Sequence, residues 1–178
     1  MKKIKINHRK GILFFIQGLS GSGKTVISKK IKKEISRKYG PTILISGDNL
    51  RKIFELNDYS YNGRLSNSIK FRKFSKLITN QKINLIFNVV GLMHSTRKWY
   101  RKNIDNYVEI FVKADLKKII KFKKKKIYHS RKNKNIVGIS IKPEFPKNPH
   151  IIIKNDFKKP SNYLAKLLIE KINLLIKN

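Results

Sequence analysis

FFIQGLSGSGKTVISKKI, residues 14–31, is the stretch that decides the fold. An apolar run over residues 11–17 leads into a glycine-rich octet, residues 18–25, which holds three of the nine glycines in the chain. An apolar run of this length favours a buried strand. After the octet, apolar side chains recur near one helical stripe, at Val26, Ile27, Ile31 and Ile35. The stretch therefore predicts a strand, a glycine-rich loop and an amphipathic helix, in that order.

The octet, GLSGSGKT, fits the P-loop pattern G-x-x-x-x-G-K-[ST] at every fixed position. Backbone N–H groups of such a loop converge on phosphate oxygens, and glycines allow a close approach that side chains would block. The positive end of the following helix points at the same anion. In this pattern Lys24 reaches the β- and γ-phosphates and acts in catalysis, while the Thr25 hydroxyl binds Mg²⁺. We therefore expect ATP and Mg²⁺ to be bound by Gly18, Leu19, Ser20, Gly21, Ser22, Gly23, Lys24 and Thr25.

Strand and helix patterns alternate along the rest of the chain. Apolar runs predict strands at residues 42–45, 83–90, 107–113 and 150–154. Periodic patterns predict helices at residues 49–55, 66–79, 95–103, 116–124 and 161–177. This alternation predicts an α/β fold, a P-loop NTPase-type three-layer sandwich with a mostly parallel central sheet. We expect a single domain over residues 1–178, with a mobile loop at about residues 123–147.

The composition is strongly basic, with a net charge of +33 from 43 basic and 10 acidic residues, and it lacks cysteine. The absence of cysteine excludes disulfides and cysteine-ligated zinc. The lysines are spread along the whole chain, and the densest basic block, residues 117–134, has few aromatic residues to stack on bases. We therefore expect a biased composition, a small nucleotide as partner and no specific nucleic acid. No apolar run approaches the roughly 18 residues of a membrane span, so we expect a soluble cytoplasmic protein without a membrane partner. A homodimer is compatible with the sequence.

Phosphoryl transfer needs a group that orients or deprotonates the acceptor, and few carboxylates are well placed for it. Most acidic residues lie on predicted helix surfaces, inside or beside strands, or, like Asp115, at a helix cap. Asp58 and Glu144 lie in predicted loops and remain alternatives. Asp48 directly follows a strand that should lie near the octet. We therefore predict that Asp48 acts in catalysis and, with Thr25, contributes to the Mg²⁺ site.

Several basic residues lie near Asp48 on the predicted rim of the sheet. Arg51 is one turn into the helix that follows it, and Arg64 and Asn67 are spaced to share one helical face. Arg97 and Arg101 are four residues apart on a third helix, a spacing suited to binding phosphate or sulfate. These residues predict a charged second substrate.

Beyond the octet, the chain resembles the adenylylsulfate kinase family over nearly its whole length. The resemblance rests on an ordered set of motifs: SGDNLR at 46–51, YSYNGRLSN at 59–67, YVEIFVKADL at 107–116, KKIY at 125–128 and VGISIKPEFP at 137–146. That family transfers the γ-phosphate of ATP to the 3′-hydroxyl of adenosine 5′-phosphosulfate. The resemblance implies the same reaction here, in sulfate activation, by a single P-loop kinase domain in which the loop at about residues 123–147 is the lid.

The resemblance also implies roles for individual residues around the acceptor. Asp48 is implied as the base or as a ligand of a Mg²⁺-bound water, beside the acceptor with Asn49. The implied contacts to the phosphosulfate are Arg51, Arg64 and Asn67. Tyr59 takes the place of a substrate-contacting phenylalanine, Lys125 is the lid lysine, and the residues before Gly138, among them Ile136, lie against the acceptor base.

The chain departs from the family motifs around the acceptor, at Ser46, Gly63, Ser66, Gly91 and His94, and Ile136 replaces an aromatic lid residue. The phosphate-binding octet is intact. One alternative is therefore a related kinase with another nucleotide-linked acceptor, such as a 3′-kinase of a cytidine diphosphoramidate used in capsule modification. A second alternative is a non-catalytic protein that binds nucleotides or RNA.

Overall fold

The computed structural model describes residues 3–123, 128 and 135–177. The strands are β1 (Ile4–Lys5), β2 (Leu13–Gln17), β3 (Thr42–Ser46), β4 (Asn84–Val89), β5 (Tyr107–Lys113), β6 (Ile151–Lys154) and β7 (Ile176–Lys177). The helices are α1 (Lys24–Tyr39), α2 (Gly47–Ile53), α3 (Tyr61–Asn80), α4 (His94–Asn103), α5 (Leu116–Lys123) and α6 (Ser161–Leu175). Within the described residues, no helix combines the length and the apolar character needed to cross a membrane.

β2 is the central strand of a five-stranded sheet with the order β3-β4-β2-β5-β6, and each neighbouring pair is parallel. Its side chains alternate between the two faces, because successive residues of a strand point in opposite directions. Phe14 and Ile16 pack in one hydrophobic cluster with residues of α1 and α6. Leu13 and Phe15 pack in a second cluster with residues of α2, α3 and α4. The sheet therefore has a helical layer on each face, which confirms the predicted α/β sandwich of the P-loop type.

Two helices begin earlier than the apolar pattern predicts, because serines cap them. The Ser60 hydroxyl accepts a hydrogen bond from the Gly63 N–H at 3.0 Å, and α3 begins at Tyr61. Ser46 caps α2 in the same way, through the Asn49 N–H. On α1, Ile27, Ile31 and Ile35 are buried as predicted, but Val26 is 49% exposed. Val26 lies outside the buried stripe.

The carboxyl ends of parallel strands share one rim of a sheet, which is where α/β proteins bind ligands. The octet follows β2, α2 follows β3, and residues 90–93 follow β4. All three segments line the same cleft, of about 810 Å³. The three segments therefore meet on one rim of the sheet.

Candidate active site

The glycine-rich octet connects β2 to α1 and has the backbone that such a loop needs. Gly23, the N-cap of α1, has φ 98°, and Gly21 has φ 82°, values that non-glycine residues rarely adopt. A Cβ on Gly18 would lie 2.4 Å from the Val112 carbonyl oxygen, so the first position of the octet has no room for a side chain. The loop is therefore held close against the sheet.

Lys24 begins α1 and is 7% exposed. Its ammonium group donates a hydrogen bond to the Leu19 carbonyl at 2.7 Å, across the octet. The charge of Lys24 thus lies inside the curve of the loop that is predicted to hold phosphate.

Two residues far along the chain support the loop from outside. Asn155, just after β6, donates a hydrogen bond from Nδ2 to the Ser22 carbonyl at 2.9 Å. The Tyr128 hydroxyl donates to the Ser20 carbonyl at 2.8 Å. Neither support was expected from the sequence, since the partners are more than 100 residues apart.

The Thr25 hydroxyl, predicted as a magnesium ligand, lies 3.5 Å from the amide oxygen of Asn88 in β4. A hydroxyl and an amide oxygen are both suitable for Mg²⁺, which is usually held by few protein oxygens together with phosphates and waters. Among the described residues, no three His, Cys, Asp or Glu side chains come together in a group that could hold a metal. Thr25 and Asn88 therefore fit a metal that is bound together with a nucleotide.

The cleft brings Lys24, Thr25 and Asp48 together with a set of residues predicted to contact the acceptor. Asp48 lies in the first turn of α2 and is exposed. The other predicted acceptor residues that line the cleft are Arg51, Tyr59, Arg64 and Ile136. The arrangement places a carboxylate, a phosphate loop and two guanidinium groups around one cavity.

The two alternative carboxylates, Asp58 and Glu144, have local hydrogen bonds. Asp58 also lines the cleft, and its carboxylate accepts from the Ser60 N–H at 2.8 Å. The Ser60 side chain, followed by this N–H, lowers the pKa of Asp58. The Glu144 carboxylate accepts from the His94 N–H at the start of α4, and it lies 3.4 Å from the Tyr61 hydroxyl. Both side chains thus serve as caps or tethers of helix termini.

Arg51 and Arg64 both approach the ring of Tyr59. Their guanidinium carbons lie 4.6 Å and 5.6 Å from the ring centroid. Arg51 donates to the Leu56 and Asp58 carbonyls, each at 3.2 Å, and Arg64 to the Tyr59 and Asn135 carbonyls at 2.9 Å and 3.0 Å. Burial lowers the pKa of both side chains, and the Arg51 charge lowers the pKa of Arg64 further. The hydrogen-bond partners of the two arginines are neutral carbonyls, and their aromatic partner is uncharged, so neither contact cancels a positive charge. Two adjacent positive charges favour a bound anion at this place.

Asn49 and Asn67, predicted as acceptor contacts, have bonds to the protein itself. The Asn49 side chain accepts from the Ser46 N–H at 3.0 Å, within the capping box of α2. Asn67 is 5% exposed and donates to the Asp58 carbonyl at 3.4 Å. Asn49 thereby fixes the backbone beside Asp48, and Asn67 fixes the backbone at Asp58.

The described part of the predicted lid lies against the phosphate loop. Ile136 is 5% exposed and belongs to a hydrophobic cluster that includes Leu19 of the octet. Gly138 has φ 99°, and a Cβ added there would lie 3.2 Å from Leu19. Lys125, the predicted lid lysine, lies outside the described residues.

Arg97 and Arg101 do not form the predicted pair for a bound anion, because an internal carboxylate occupies them. Glu109 of β5 is fully buried and lies 3.7 Å from Arg97 Nε and 2.6 Å from Arg101 Nη2. Gln17 joins this group, since Nε2 donates to Glu109 at 2.9 Å and Oε1 accepts from Arg97 at 3.0 Å. The sequence identified Glu109 as a strand residue but contained no local signal for its partners.

Two departures from the family motifs have a local explanation. Ser46 supplies the cap of α2. At Gly63, a Cβ would lie 2.2 Å from the carboxyl carbon of Asp58. Asp58 therefore occupies the space that a side chain at position 63 would need.

Comparisons with known proteins match this architecture along most of the chain. The cytidine diphosphoramidate kinase of Campylobacter jejuni subsp. jejuni serotype O:2 is 29% identical over 165 residues, which covers 91% of this chain and 96% of that protein. An adenylyl-sulfate kinase of Buchnera aphidicola subsp. Schizaphis graminum is 30% identical over 172 residues, covering 89% of this chain and 81% of that protein. The solved Mycobacterium tuberculosis APS kinase, in complex with AMPPNP and APS, has a TM-score of 0.81 at 20% identity and covers 92% of this chain and 98% of that chain.

The family model for adenylylsulphate kinase matches residues 10–154. The relatives named as kinases and the phosphate loop agree with an ATP-dependent phosphotransferase, so the hypothesis of a non-catalytic binder is wrong. The match spans most of the chain, and the chain belongs to the adenylylsulphate kinase family.

Proposed function

We propose that this kinase transfers the γ-phosphate of ATP, with Mg²⁺, to the 3′-hydroxyl of a nucleotide acceptor that carries two linked anionic groups. Adenosine 5′-phosphosulfate is the first candidate acceptor. The observation that supports this proposal most directly is the pair of guanidinium groups, Arg51 and Arg64, that both approach the Tyr59 ring. A phosphosulfate carries charge on two neighbouring groups, which matches two adjacent cations.

The proposed roles follow the geometry of the cleft. Lys24 and the octet amides would hold the β- and γ-phosphates, and Thr25, together with Asp48 or Asn88, would hold Mg²⁺. Asp48 orients the acceptor hydroxyl and accepts its proton as the phosphoryl group is transferred. Arg51 and Arg64 hold the anionic end of the acceptor, so that its hydroxyl points back towards Asp48.

A cytidine diphosphoramidate is the second candidate, and it is favoured by two observations. The Campylobacter jejuni relative with that name matches along 96% of its length. In addition, Ile136 has no aromatic face for a purine to stack on, and it is packed in a hydrophobic cluster. A smaller pyrimidine depends less on such a contact. Both candidates share the diphosphate-like anion that Arg51 and Arg64 suit.

The deciding experiment measures kcat/KM for adenosine 5′-phosphosulfate and for the cytidine compound with saturating ATP. We expect turnover of adenosine phosphosulfate with a KM higher than that of an enzyme that carries the full family motif, because the aromatic lid contact is missing. If the cytidine compound is preferred by more than about tenfold, equivalent to 1.4 kcal/mol, the second candidate replaces the first.

A matched pair of variants tests the anion site. Arg64→Gln removes one cation from the cleft, whereas Arg72→Gln removes a cation of the same helix that lies over Trp99, 5.5 Å from the ring centroid. We expect Arg64→Gln to raise the acceptor KM by about tenfold or more, the usual weight of a charged hydrogen bond, and to leave the KM for ATP unchanged. Equal effects of the two variants would argue against an anion site at Arg64.

A further inference from the structure

Arg97 is a buried arginine that contacts residues of the sheet on one side of its guanidinium group. The residue is 4% exposed, and Nη1 donates to Gln17 Oε1 at 3.0 Å. Gln17 is the last residue of β2 and directly precedes the phosphate loop. The buried carboxylate of Glu109 lies 3.7 Å from Arg97 Nε and also binds Gln17. Arg97 is thereby held against two neighbouring strands.

The other side of the guanidinium group faces residues 142–149, the segment in which the predicted lid ends and the chain continues to β6. This segment is called the returning end of the lid. Nη2 donates to the Glu144 carbonyl at 2.5 Å and lies 2.6 Å from His94 Nδ1. Glu144 is tied down at further points, since its N–H donates to the Leu92 carbonyl at 3.0 Å and its carboxylate accepts from the His94 N–H. Arg97 therefore bridges the sheet and the returning end of the lid.

The two segments that Arg97 joins differ in the other contacts that fix their backbones. The backbone of Gln17 is fixed by strand pairing with Val89 of β4 and Phe111 of β5. Residues 142–149 belong to no helix or strand, so their position depends on side-chain and loop contacts. A guanidinium group has a rigid fork of donors and can hold two acceptors in one fixed relation, which a lysine ammonium cannot reproduce. Loss of the fork should release the lid segment and leave the phosphate loop in place.

We propose that Arg97 is a positioning residue that fixes the returning end of the lid, at Glu144, relative to the sheet. The effect on turnover rests on the proposed function, because the lid segment lines the cleft at Asn135, Ile136 and Val137 beside the acceptor residues. The role of Arg97 is to hold the lid in register with the acceptor, and it does not touch the reacting groups.

Arg101 provides a matched control on the same helix. It binds the same carboxylate, Glu109, through Nε at 3.1 Å and Nη2 at 2.6 Å. Its Nη2 also donates to the Asn148 carbonyl at 2.7 Å. Arg97→Lys and Arg101→Lys both preserve the positive charge near Glu109, but only the first removes the fork between Gln17 and Glu144.

The test combines amide hydrogen exchange over residues 135–147, the dissociation constant of a non-hydrolysable ATP analogue, and steady-state kinetics with the acceptor. For Arg97→Lys we expect exchange over residues 135–147 to rise by about tenfold and kcat/KM for the acceptor to fall by about ten- to a hundredfold. Binding of the ATP analogue should stay within about twofold of the wild type, since strand pairing still holds the loop. Arg101→Lys should change the exchange and the kinetics much less.

A second variant guards against a general loss of stability in Arg97→Lys. Glu144→Ala removes the carboxylate that accepts the His94 N–H but leaves the carbonyl that Arg97 binds, so we expect a smaller rise in exchange over residues 135–147 than in Arg97→Lys. Unchanged exchange over residues 135–147 in Arg97→Lys would overturn the proposal. Absence of turnover by the wild-type enzyme with every acceptor would instead overturn the proposed function, while the exchange comparison would still decide the role of Arg97.

Discussion

Asn88 Oδ1 lies 3.5 Å from Thr25 Oγ1, so the end of β4 meets the first turn of α1 beside the phosphate loop. No acidic residue of β4 is available for this place, because the strand contains two asparagines and four apolar residues. An amide oxygen is a weaker magnesium ligand than a carboxylate, since it carries no net charge. Asn88 is therefore the residue at which the proposed magnesium site beside Thr25 can be tested.

We predict that Asn88→Asp lowers the Mg²⁺ concentration needed for half-maximal turnover, by about threefold or more, because it adds a negative charge beside Thr25. Asn88→Ala should raise that concentration. A Mg²⁺ titration at fixed ATP measures both changes, and circular dichroism of both variants checks that they fold. An unchanged Mg²⁺ requirement in both Asn88 variants would remove this residue from the metal site.

Lys24→Ala should abolish phosphoryl transfer and leave the fold intact. The lysine provides the positive charge inside the loop, and removal of one such group commonly costs about 10²-fold or more in kcat. The helix it begins remains packed through Ile27, Ile31 and Ile35, which are all buried. Radiometric turnover and circular dichroism test the two statements, with Lys30→Ala on the exposed face of α1 as the control. Near-normal turnover by Lys24→Ala would exclude the phosphate loop from the mechanism.

Local patterns were sufficient to predict the phosphate loop and the strands around it. The limits of β5 were predicted at residues 107–113, and the structure has Tyr107–Lys113. The octet and its flanking strand and helix were predictable because each depends on neighbouring residues: glycines for the loop, an apolar run for the strand, and a helical stripe for α1. The start of α3 was missed because Gly63 weakens a helical pattern, whereas the cap that begins the helix is the single side chain of Ser60.

Contacts between distant segments could not be predicted in this way. Gln17 and Asn88 are polar residues inside strands, and their roles depend on the register with β5 and on the position of α1. Asn155 supports Ser22 from 133 residues away. The arginines of α4 had a spacing suited to a bound phosphate, but β5 supplies a carboxylate for them from within the chain. A sequence pattern identifies a charged pair without identifying its partner.

Stability should decrease below neutral pH because of His150. Its Nδ1 accepts a hydrogen bond from the Glu109 N–H at 2.9 Å, and burial followed by the charge of Arg101 lowers the pKa of His150 from 6.5. The unfolded chain therefore binds a proton more readily than the folded chain, so the free energy of unfolding falls as the pH drops below about 6.5. The loss ends once the pH is below the pKa of the folded state.

Chemical denaturation at several values between pH 5 and pH 7 measures this dependence. His150→Asn retains an acceptor for the Glu109 N–H and cannot titrate, so we expect a flatter dependence in that variant. His8→Asn, at an exposed position, is the matched control and should behave like the wild type. An equally steep loss of stability in His150→Asn would assign the effect to another group.

Binding of nucleic acids should be weak, independent of sequence and steeply reduced by salt, despite the net charge of +33. Spread lysines bind phosphates by counterion release, which carries no information about bases. Fluorescence anisotropy with several RNA and DNA oligonucleotides between 50 mM and 200 mM salt tests this expectation, a range over which such binding falls by orders of magnitude. Sequence-selective binding at the higher concentration would contradict it.

Asp48→Asn should lower turnover by about 10²- to 10⁴-fold, the usual contribution of a general base. Asp48 is exposed to the cleft in the first turn of α2, and the amide that replaces it cannot accept the proton of the acceptor hydroxyl. Binding of an ATP analogue should change much less, because Lys24, Thr25 and the loop amides remain.

Asp58→Asn is the informative comparison, since Asp58 lines the same cleft but already accepts the Ser60 N–H. We expect Asp58→Asn to retain most of the turnover, and single-turnover rates of the two variants measure the difference. If Asp58→Asn loses activity and Asp48→Asn retains it, the role of the base moves to Asp58, whose carboxyl group lies over Gly63 at the start of α3.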